Sequence, residues 1–235
     1  MAPKVLFVLS SYGNSSEARG QPSGFQGWWL PEFAHPFYKL KPYVEIVVAS
    51  PYGGEAMIDS VGVDMYKDDP ISVKFVKEEE AMWKNTKTLE TFLGKAGEYA
   101  AIFYVGGHGP MFDLVDNTVS QQLIREFYET GKPIASICHG PAAFLKVRLS
   151  DGSSLVANQP VTALSNAEED TMGLSSSIPF RLETELQKIS GKFDAAAPHA
   201  CCVVVSGKDG KMITAQNPAS AGAIGEAILG AVLAC

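Results

Sequence analysis

The chain has 235 residues, a length that suits one α/β domain with at most a small insertion. Hydrophobic residues make up 46% of it and charged residues 19%, so it holds enough apolar material for a sizeable core and is not expected to be disordered. The formal net charge is −7 and a basic stripe is missing, so we expect neither nucleic acid nor an anionic membrane as a partner.

The amino-terminal stretch MAPKVLFVLSSYG contains one lysine and a short apolar run. A secretory signal peptide has a longer apolar region and a small-residue cleavage site, so we interpret this stretch as a strand and expect a cytoplasmic protein. No apolar run approaches the roughly 20 residues of a membrane span. The four cysteines lack a C-x-x-C spacing, which gives little support to a disulfide framework or a zinc site and fits a reducing compartment.

The first half of the chain alternates short apolar runs with longer segments. Residues 4–11, 44–50 and 100–107 lack polar alternation, as expected for parallel strands that are buried on both faces. Residues 28–40 predict a helix with prolines near its ends. Residues 51–98 are more ambiguous, and we interpret them as a polar connection and a surface helix that could form a small cap over the sheet edge.

The middle of the chain continues this pattern. Residues 118–131 predict the clearest helix, which Thr118 could cap and Gly131 could end. Residues 133–138 read as a further buried strand.

The carboxy-terminal third predicts a hairpin at residues 201–215, around the turn GKDGK, and a closing helix at residues 218–234. The βαβα order predicts a doubly wound, mostly parallel sheet sandwiched by helices. We expect a single domain over residues 1–235.

The stretch PIASICHGPAAF places a cysteine between a predicted strand and a predicted helix. A strand–turn–helix junction of this kind presents a nucleophile, and Gly140 and Pro141 suit the turn and the first helical turn. A helix amino terminus would lower the pKa of the Cys138 thiol and favour the thiolate. The alternative is a buried, inert cysteine, but the junction position and the adjacent His139 favour a functional one.

Three other sequence features lie directly after a predicted strand or near the start of a predicted helix. The glycine-rich loop YVGGHGPMFD could direct backbone N–H groups at a developing oxyanion, or could be a tight turn, and it matches neither a dinucleotide fingerprint nor a P-loop. A carboxylate of SNAEED could orient an imidazole, or Asn166, Glu168 and Glu169 could simply suit a helix amino terminus. Glu32 begins an apolar helix, where burial would raise its pKa unless it lies on the surface.

Together these motifs resemble the DJ-1/PfpI superfamily, which is related in fold to class I glutamine amidotransferases and is flavodoxin-like. More narrowly, they resemble its Hsp31-like branch of glutathione-independent glyoxalases (glyoxalase III). The resemblance runs through almost the whole chain. The stretches that carry it are MAPKVLFVLSSY, PEFAHPF, GGHGPMFD, ASICHGPAAF, VTALSNAEED and TAQNPASA.

The resemblance implies catalytic roles for specific residues. Cys138 matches the nucleophile, His139 its catalytic histidine, and Glu32 the glutamate whose carboxyl hydrogen-bonds the thiol. The third member of the triad best matches Glu169, although Glu168 and Asp170 flank it. The implied oxyanion and substrate-binding residues are Gly107, Gly106 and His108, with the backbone N–H of His139 also facing the oxyanion.

The implied reaction converts methylglyoxal and water to D-lactate, through a hemithioacetal on Cys138 and an enediol. Proton transfer between adjacent carbons needs a base, His139 or Glu32, and no redox cofactor. Larger bacterial relatives carry an extra domain with a metal site, and this chain is too short for it, so we expect neither a metal nor a cofactor. The resemblance also implies a small 2-oxoaldehyde substrate and a homodimer.

Three alternatives remain for the function. A stress-linked holding chaperone would need an exposed apolar patch, to which Trp28, Trp29 and Met111 could contribute unless they pack in the core. A protein deglycase would share the same thiol chemistry. A cysteine peptidase or amidase fits the nucleophile and the acid, but a cap over the junction would exclude large substrates.

Overall fold

The computed structural model describes residues 2–14 and 26–234, and within them seven strands form one sheet. The strands are β1 (Lys4–Val8), β2 (Glu45–Ser50), β3 (Lys87–Thr88), β4 (Ala101–Tyr104), β5 (Ile134–Ile137), β6 (Val203–Ser206) and β7 (Met212–Ala215). Their order across the sheet is β3-β2-β1-β4-β5-β7-β6. Neighbouring strands are parallel except for the antiparallel pair β6 and β7.

Helices connect these strands and cover both faces of the sheet. The α-helices of the described residues are α1 (Leu30–Leu40), α2 (Ser60–Met65), α3 (Pro70–Glu78), α4 (Ala81–Lys84), α5 (Pro110–Asp113), α6 (Thr118–Glu129), α7 (Asn166–Met172), α8 (Leu182–Ser190) and α9 (Ala221–Leu233). Short 3-10 helices lie at Leu89–Phe92, Ala96–Glu98, Gly140–Phe144, Lys208–Gly210 and Pro218–Ser220.

The sheet separates two apolar cores. Val5 and Phe7 of β1 pack in the core that includes α1 and α9, whereas Leu6 and Val8 pack in the core that includes α6 and α8. All four side chains are fully buried, which explains why this strand shows no polar alternation. The predicted fold class, an α/β protein with a doubly wound and mostly parallel sheet, is confirmed.

The ambiguous segment 51–98 contains α2, α3, α4 and the edge strand β3. Its amino-terminal part is tied to the loop before α1, because Trp28 N donates to Met57 O at 3.2 Å and Asp59 N donates to Trp28 O at 3.0 Å. Phe75 of α3 is buried among aromatic rings, with its ring centroid 4.7 Å from that of Phe33. The segment therefore packs on α1 and brings α2 close to the carboxyl ends of the strands.

Three local predictions differ from the structure. Asn117, not Thr118, caps α6, since its side chain accepts a hydrogen bond from Ser120 N at 2.9 Å. Pro36 lies inside α1 rather than near its end. The segment after Cys138 forms a 3-10 helix, Gly140–Phe144, instead of the predicted α-helix.

The carboxy-terminal third matches its prediction. β6 and β7 form the expected hairpin, and α9 closes the fold after a short 3-10 turn. Gly225 allows α9 to approach α1 closely, because a Cβ there would lie 3.0 Å from the Cα of Pro36. Among the described residues we find no helix with the length and apolar character that crossing a membrane requires.

Candidate active site

The site lies where the parallel strands end. β5 ends at Ile137 and leads directly into Cys138, and the glycine-rich loop follows β4. Glu32 lies in the first turn of α1, and α7 brings two adjacent glutamates to the same edge. Ligand sites of open α/β sheets form at this edge, where loops from several strands meet.

Cys138 has a strained backbone. Its φ of 60° lies in the left-handed region, which costs a non-glycine residue about 1–2 kcal/mol. Two backbone hydrogen bonds hold it there, from Cys138 N to Ala215 O at 2.9 Å and from Leu164 N to Cys138 O at 3.0 Å. The strained turn brings together the side chains of Cys138 and His139, which neighbouring residues in an ordinary strand would direct apart. Cys138 is buried, with 6% of the residue exposed.

His139 links the thiol to a carboxylate. Its Nδ1 lies 3.5 Å from Cys138 Sγ, and its Nε2 lies 2.7 Å from Glu169 Oε2. Burial, followed by the neighbouring His108, lowers the pKa of His139 to about 4, despite the opposing hydrogen bond to Glu169. The ring is therefore neutral at neutral pH. If it donates Nε2–H to the carboxylate, its Nδ1 lone pair faces the thiol.

Glu169 accepts hydrogen bonds from two histidines. His108 Nε2 lies 2.9 Å from Glu169 Oε1, and the rings of His108 and His139 are 4.1 Å apart between centroids. Burial acts to raise the pKa of Glu169, but the hydrogen bonds from His108 and His139 outweigh it and hold this pKa well below its usual range. Glu169 is thus an ionised carboxylate between two imidazoles.

The neighbouring Glu168 has a different environment. With Ser165 it forms the capping box of α7, and it also accepts hydrogen bonds from His199 N, Gln216 Nε2 and Asn217 Nδ2 at 2.8–2.9 Å. These bonds outweigh burial and lower the pKa of Glu168. The two interpretations of SNAEED are therefore both realised, each by a different glutamate.

Asp170 lies outside this network. Its carboxylate pairs with the guanidinium of Arg181 at the surface, where the Asp170 side chain is 54% exposed. Of the three neighbouring acids, the structure brings Glu169 to His139.

Glu32 is fully buried beside Cys138. Burial raises its pKa to about 8, the charge of Glu168 adds to this effect, and interactions with the Cys138 side chain and the Gly106 N–H oppose it. Within the described residues, neither carboxyl oxygen of Glu32 has a partner that meets full hydrogen-bond geometry. The carboxyl is therefore largely protonated at neutral pH.

The prediction that a helix amino terminus lowers the pKa of the thiol is wrong. The element after Cys138 is only a five-residue 3-10 helix, Gly140–Phe144. Burial raises the pKa of Cys138 well above its usual value, and the Glu32 carboxyl raises it further, while the backbone N–H of Gly107 opposes both. The free thiol is consequently protonated, and it needs a base to become a nucleophile.

The glycine-rich loop packs tightly around these groups. A Cβ on Gly106 would collide with Glu32 Oε2 and with the carbonyl of Ile137. Gly107 has a φ of 94°, and a Cβ there would lie 2.8 Å from Trp29 N, so both positions require glycine. The side chain of His108, expected near the oxyanion, is directed to Glu169 instead.

His108, His139 and Glu169 also form the set of side chains that could hold a metal ion. Their candidate ligand atoms lie within 4.8 Å of one another, in a search of the described residues. Both Nε2 atoms already face the carboxylate as hydrogen-bond partners, so a metal would have to displace these bonds.

The other two histidines have packing roles. His35 Nε2 lies 2.9 Å from Asp69 Oδ2, and His199 has a φ of 63° and donates its backbone N–H to Glu168. The sequence interpretation did not single out Gln216 and Asn217, although both are fully buried polar residues directly after β7. The polar pair at the end of an apolar run, within TAQNPASA, is the signal that could have identified them.

The chain is similar to known proteins over most of its length. The sequence model of the DJ-1/PfpI family matches residues 32–231. Glutathione-independent glyoxalase hsp3102 of Schizosaccharomyces pombe is 32% identical over 97% of both chains, and glutathione-independent glyoxalase HSP31 of Saccharomyces cerevisiae is 27% identical over 94% of both. The solved structure of Rapid Encystment Protein 24 KDa from Francisella tularensis is 33% identical, with a TM-score of 0.84 over 98% of this chain and 99% of that one.

The family match covers most of the chain, and these relatives align along almost their full length. The mostly parallel sheet and the strained turn at Cys138 in this structure agree with the resemblance seen in the sequence. The chain therefore belongs to the DJ-1/PfpI family.

Proposed function

We propose that this chain is a glutathione-independent glyoxalase, which converts a 2-oxoaldehyde such as methylglyoxal, with water, to D-lactate. The observation that carries the proposal is the arrangement of Cys138, His139 and Glu169, with the protonated Glu32 beside the thiol. The enzyme supplies the thiol itself, so glutathione is not required. Relatives named glutathione-independent glyoxalases support the same conclusion.

The first step forms a hemithioacetal. His139 Nδ1 takes the thiol proton as Cys138 Sγ bonds to the aldehyde carbon C1, and the ionised Glu169 stabilises the imidazolium. The aldehyde oxygen O1 gains negative charge beside the backbone N–H of Gly107, which acts on the thiol in the free protein. Glu32 then gives its proton to O1 and becomes a carboxylate.

The second step moves a proton from C1 to the neighbouring carbon C2. A carboxyl with a pKa of about 8 is a stronger base than His139, whose pKa is about 4, so Glu32 is the better acceptor for a proton from carbon. Its carboxylate removes the C1 proton to give the enediol and returns it to C2, while the proton on O1 passes to O2. The product is a thioester on Cys138.

Water completes the reaction. The Glu32 carboxylate removes a proton from the water that attacks the thioester carbon and so returns to its protonated form. The C–S bond breaks, and the His139 imidazolium formed in the first step returns its proton to the sulfur. The 2-hydroxy acid leaves as its anion and releases one proton. Reactants and products balance as one 2-oxoaldehyde and one water for one 2-hydroxy acid.

The test is a methylglyoxal assay without glutathione. Wild type should consume methylglyoxal and form D-lactate, and Cys138→Ala should form none above the uncatalysed rate. Full turnover by Cys138→Ala would overturn the proposal. Because free methylglyoxal consumption can imitate deglycase activity, D-lactate must be quantified directly.

The competing functions find less support. Trp28 and Met111 are buried, with 0% and 1% of each residue exposed, so they do not offer the chaperone surface that the sequence suggested. Cys138 is buried with 6% of the residue exposed, which suits a small aldehyde better than a peptide. We also propose that the chain is a single domain, with 51–98 as a cap-like insertion, and acts as a cytoplasmic homodimer independent of nucleic acid. Light scattering of the purified protein tests the dimer.

A further inference from the structure

The proposed reaction develops charge on two oxygens, but the groups described so far address only one of them. O1 of the aldehyde lies beside Gly107 in this mechanism. O2, the oxygen of the second carbonyl, becomes an enediolate oxygen when the C1 proton leaves, and it needs its own donor. The side of the site next to the glycine-rich loop contains such a donor.

Trp29 forms that side of the site. Its backbone N–H donates to Gly106 O at 3.1 Å, which ties it to the glycine-rich loop beside Cys138. Its indole packs against α2, where a Cβ on Gly62 would lie 3.2 Å from the ring. Among the described residues its buried Nε1 lacks a partner with full hydrogen-bond geometry.

Tyr66 follows at the carboxyl end of α2. Its ring meets that of Trp29 edge-on, at 6.3 Å between centroids and an interplanar angle of 87°. Burial raises the pKa of Tyr66, and an interaction with the Trp29 side chain opposes this effect. The hydroxyl therefore keeps its proton at neutral pH, and its ring contacts a tryptophan that is hydrogen-bonded to the glycine-rich loop beside Cys138.

We propose that the Tyr66 hydroxyl, oriented by the Trp29 indole N–H, donates a hydrogen bond to O2 of the substrate. The assignment rests on the proposed glyoxalase function. In this arrangement Tyr66 contacts the substrate, and Trp29 is a positioning residue. The Tyr66 oxygen can accept a hydrogen bond from the indole N–H, and this leaves the phenolic O–H free to donate to O2. The pair would select substrates in which a second carbonyl adjoins the aldehyde.

The same contact determines which face of C2 receives the proton. Before the C1 proton leaves, the hemithioacetal can rotate about its C1–C2 bond, and the two rotamers present opposite faces of C2 to Glu32. A hydrogen bond from Tyr66 to O2 selects one rotamer. We therefore expect a single enantiomer of the product when Tyr66 holds O2.

The experiment compares wild type with Tyr66→Phe and Trp29→Phe, and uses Tyr52→Phe, an exposed tyrosine outside the site, as the matched control. We expect kcat with methylglyoxal to fall about 100-fold in Tyr66→Phe, the size of effect seen when one oxyanion donor is removed. The share of L-lactate in the product should rise. Trp29→Phe should show the same changes to a smaller extent, and Tyr52→Phe neither.

Two further measurements separate this role from a structural one. Alkylation of Cys138 by iodoacetamide and addition of propanal, which has no O2, should proceed in Tyr66→Phe as in wild type. An unchanged rate and unchanged enantiomer ratio in Tyr66→Phe, with wild type making D-lactate, would overturn the inference alone. A wild type that makes no D-lactate would overturn the proposed function itself.

Discussion

The amino-terminal turns of two helices, α7 and α1, bring the buried glutamates Glu169 and Glu32 to the site. One of these carboxyls is ionised and the other is protonated. In the first turn of α7, Glu169 accepts hydrogen bonds from two histidines and is ionised, although it is only 4% exposed. In the first turn of α1, Glu32 is fully buried, no comparable donors reach it from the part of the chain that the structure describes, and its pKa is raised to about 8. Burial raises the pKa of both carboxyls, and the hydrogen bonds from two histidines keep Glu169 ionised in spite of it.

This difference divides the chemistry between the two helices. An ionised Glu169 can hold His139 in one tautomer and stabilise its imidazolium, but it is too weak a base to take a proton from carbon. A protonated Glu32 can donate to an oxyanion and then act as the base. Substitutions at these two glutamates and at the acids beside Glu169 should therefore have distinct effects on activity and on stability.

The largest effect is expected for Glu169→Gln. An amide presents an NH2 group to one of the two imidazoles, so His139 would be pushed toward the tautomer whose Nδ1–H faces the thiol. We expect kcat to fall about 10³–10⁴-fold, as for other triads with a disturbed tautomer. Steady-state D-lactate formation measures it, and a variant that keeps wild-type kcat would contradict the role of Glu169.

Glu168→Gln should act on stability instead. The substitution replaces an ionised acceptor of hydrogen bonds from Ser165, His199, Gln216 and Asn217, so the free energy of unfolding should fall by about 2–3 kcal/mol. Because the folded pKa of Glu168 lies below its usual 4.5, the stabilisation is present above that pH and is lost as the pH falls further. Denaturant unfolding of both proteins should therefore converge at acid pH, and a constant difference at every pH would refute this account.

Glu32→Gln should have the opposite dependence on pH. The pKa of Glu32 rises from 4.5 to about 8 on folding, so its stabilising contribution is complete below 4.5 and is lost as the pH rises toward 8. An amide does not ionise, so the variant should gain stability relative to wild type steadily across this window. Glu226→Gln, at an exposed surface pair with Lys39, serves as the control. Parallel stability curves for Glu32→Gln and wild type would show that Glu32 is already ionised.

The smallest effect is expected for Asp170→Asn. Its ion pair with Arg181 is exposed, so the free energy of unfolding should change by less than about 1 kcal/mol and kcat should stay at the wild-type value. The same assays used for Glu169→Gln measure it. A large loss of activity would show that the register of the acids around His139 is shifted by one residue.

The sequence predicted the fold and the reacting residues for reasons that are local. Apolar runs without polar alternation identified the buried strands, and the strand–Cys–His–Gly–Pro junction identified the strained turn at Cys138. The resemblance of VTALSNAEED to the family favoured Glu169 over its neighbours. Each of these signals lies in a short segment of the sequence and can be recognised without knowing the tertiary packing.

Other features depend on groups that are distant in the chain. The partners of Glu168 include Gln216 and Asn217, and His108 reaches Glu169 from another loop. The charge of Glu32 depends on how completely it is buried and on the absence of strong donors, which a sequence pattern does not reveal. The thiol pKa was mispredicted for the same reason, since burial at Cys138 outweighs the short 3-10 helix that follows it.

In the proposed mechanism, Glu32 is the group that moves the proton from C1 to C2. The deciding measurement is single-turnover mass spectrometry with methylglyoxal and no glutathione, combined with D-lactate quantification, on wild type and Glu32→Gln. We predict that wild type forms D-lactate, whereas Glu32→Gln still adds one substrate covalently at Cys138 and releases almost none as D-lactate. Turnover by Glu32→Gln at the wild-type rate would contradict the central claim.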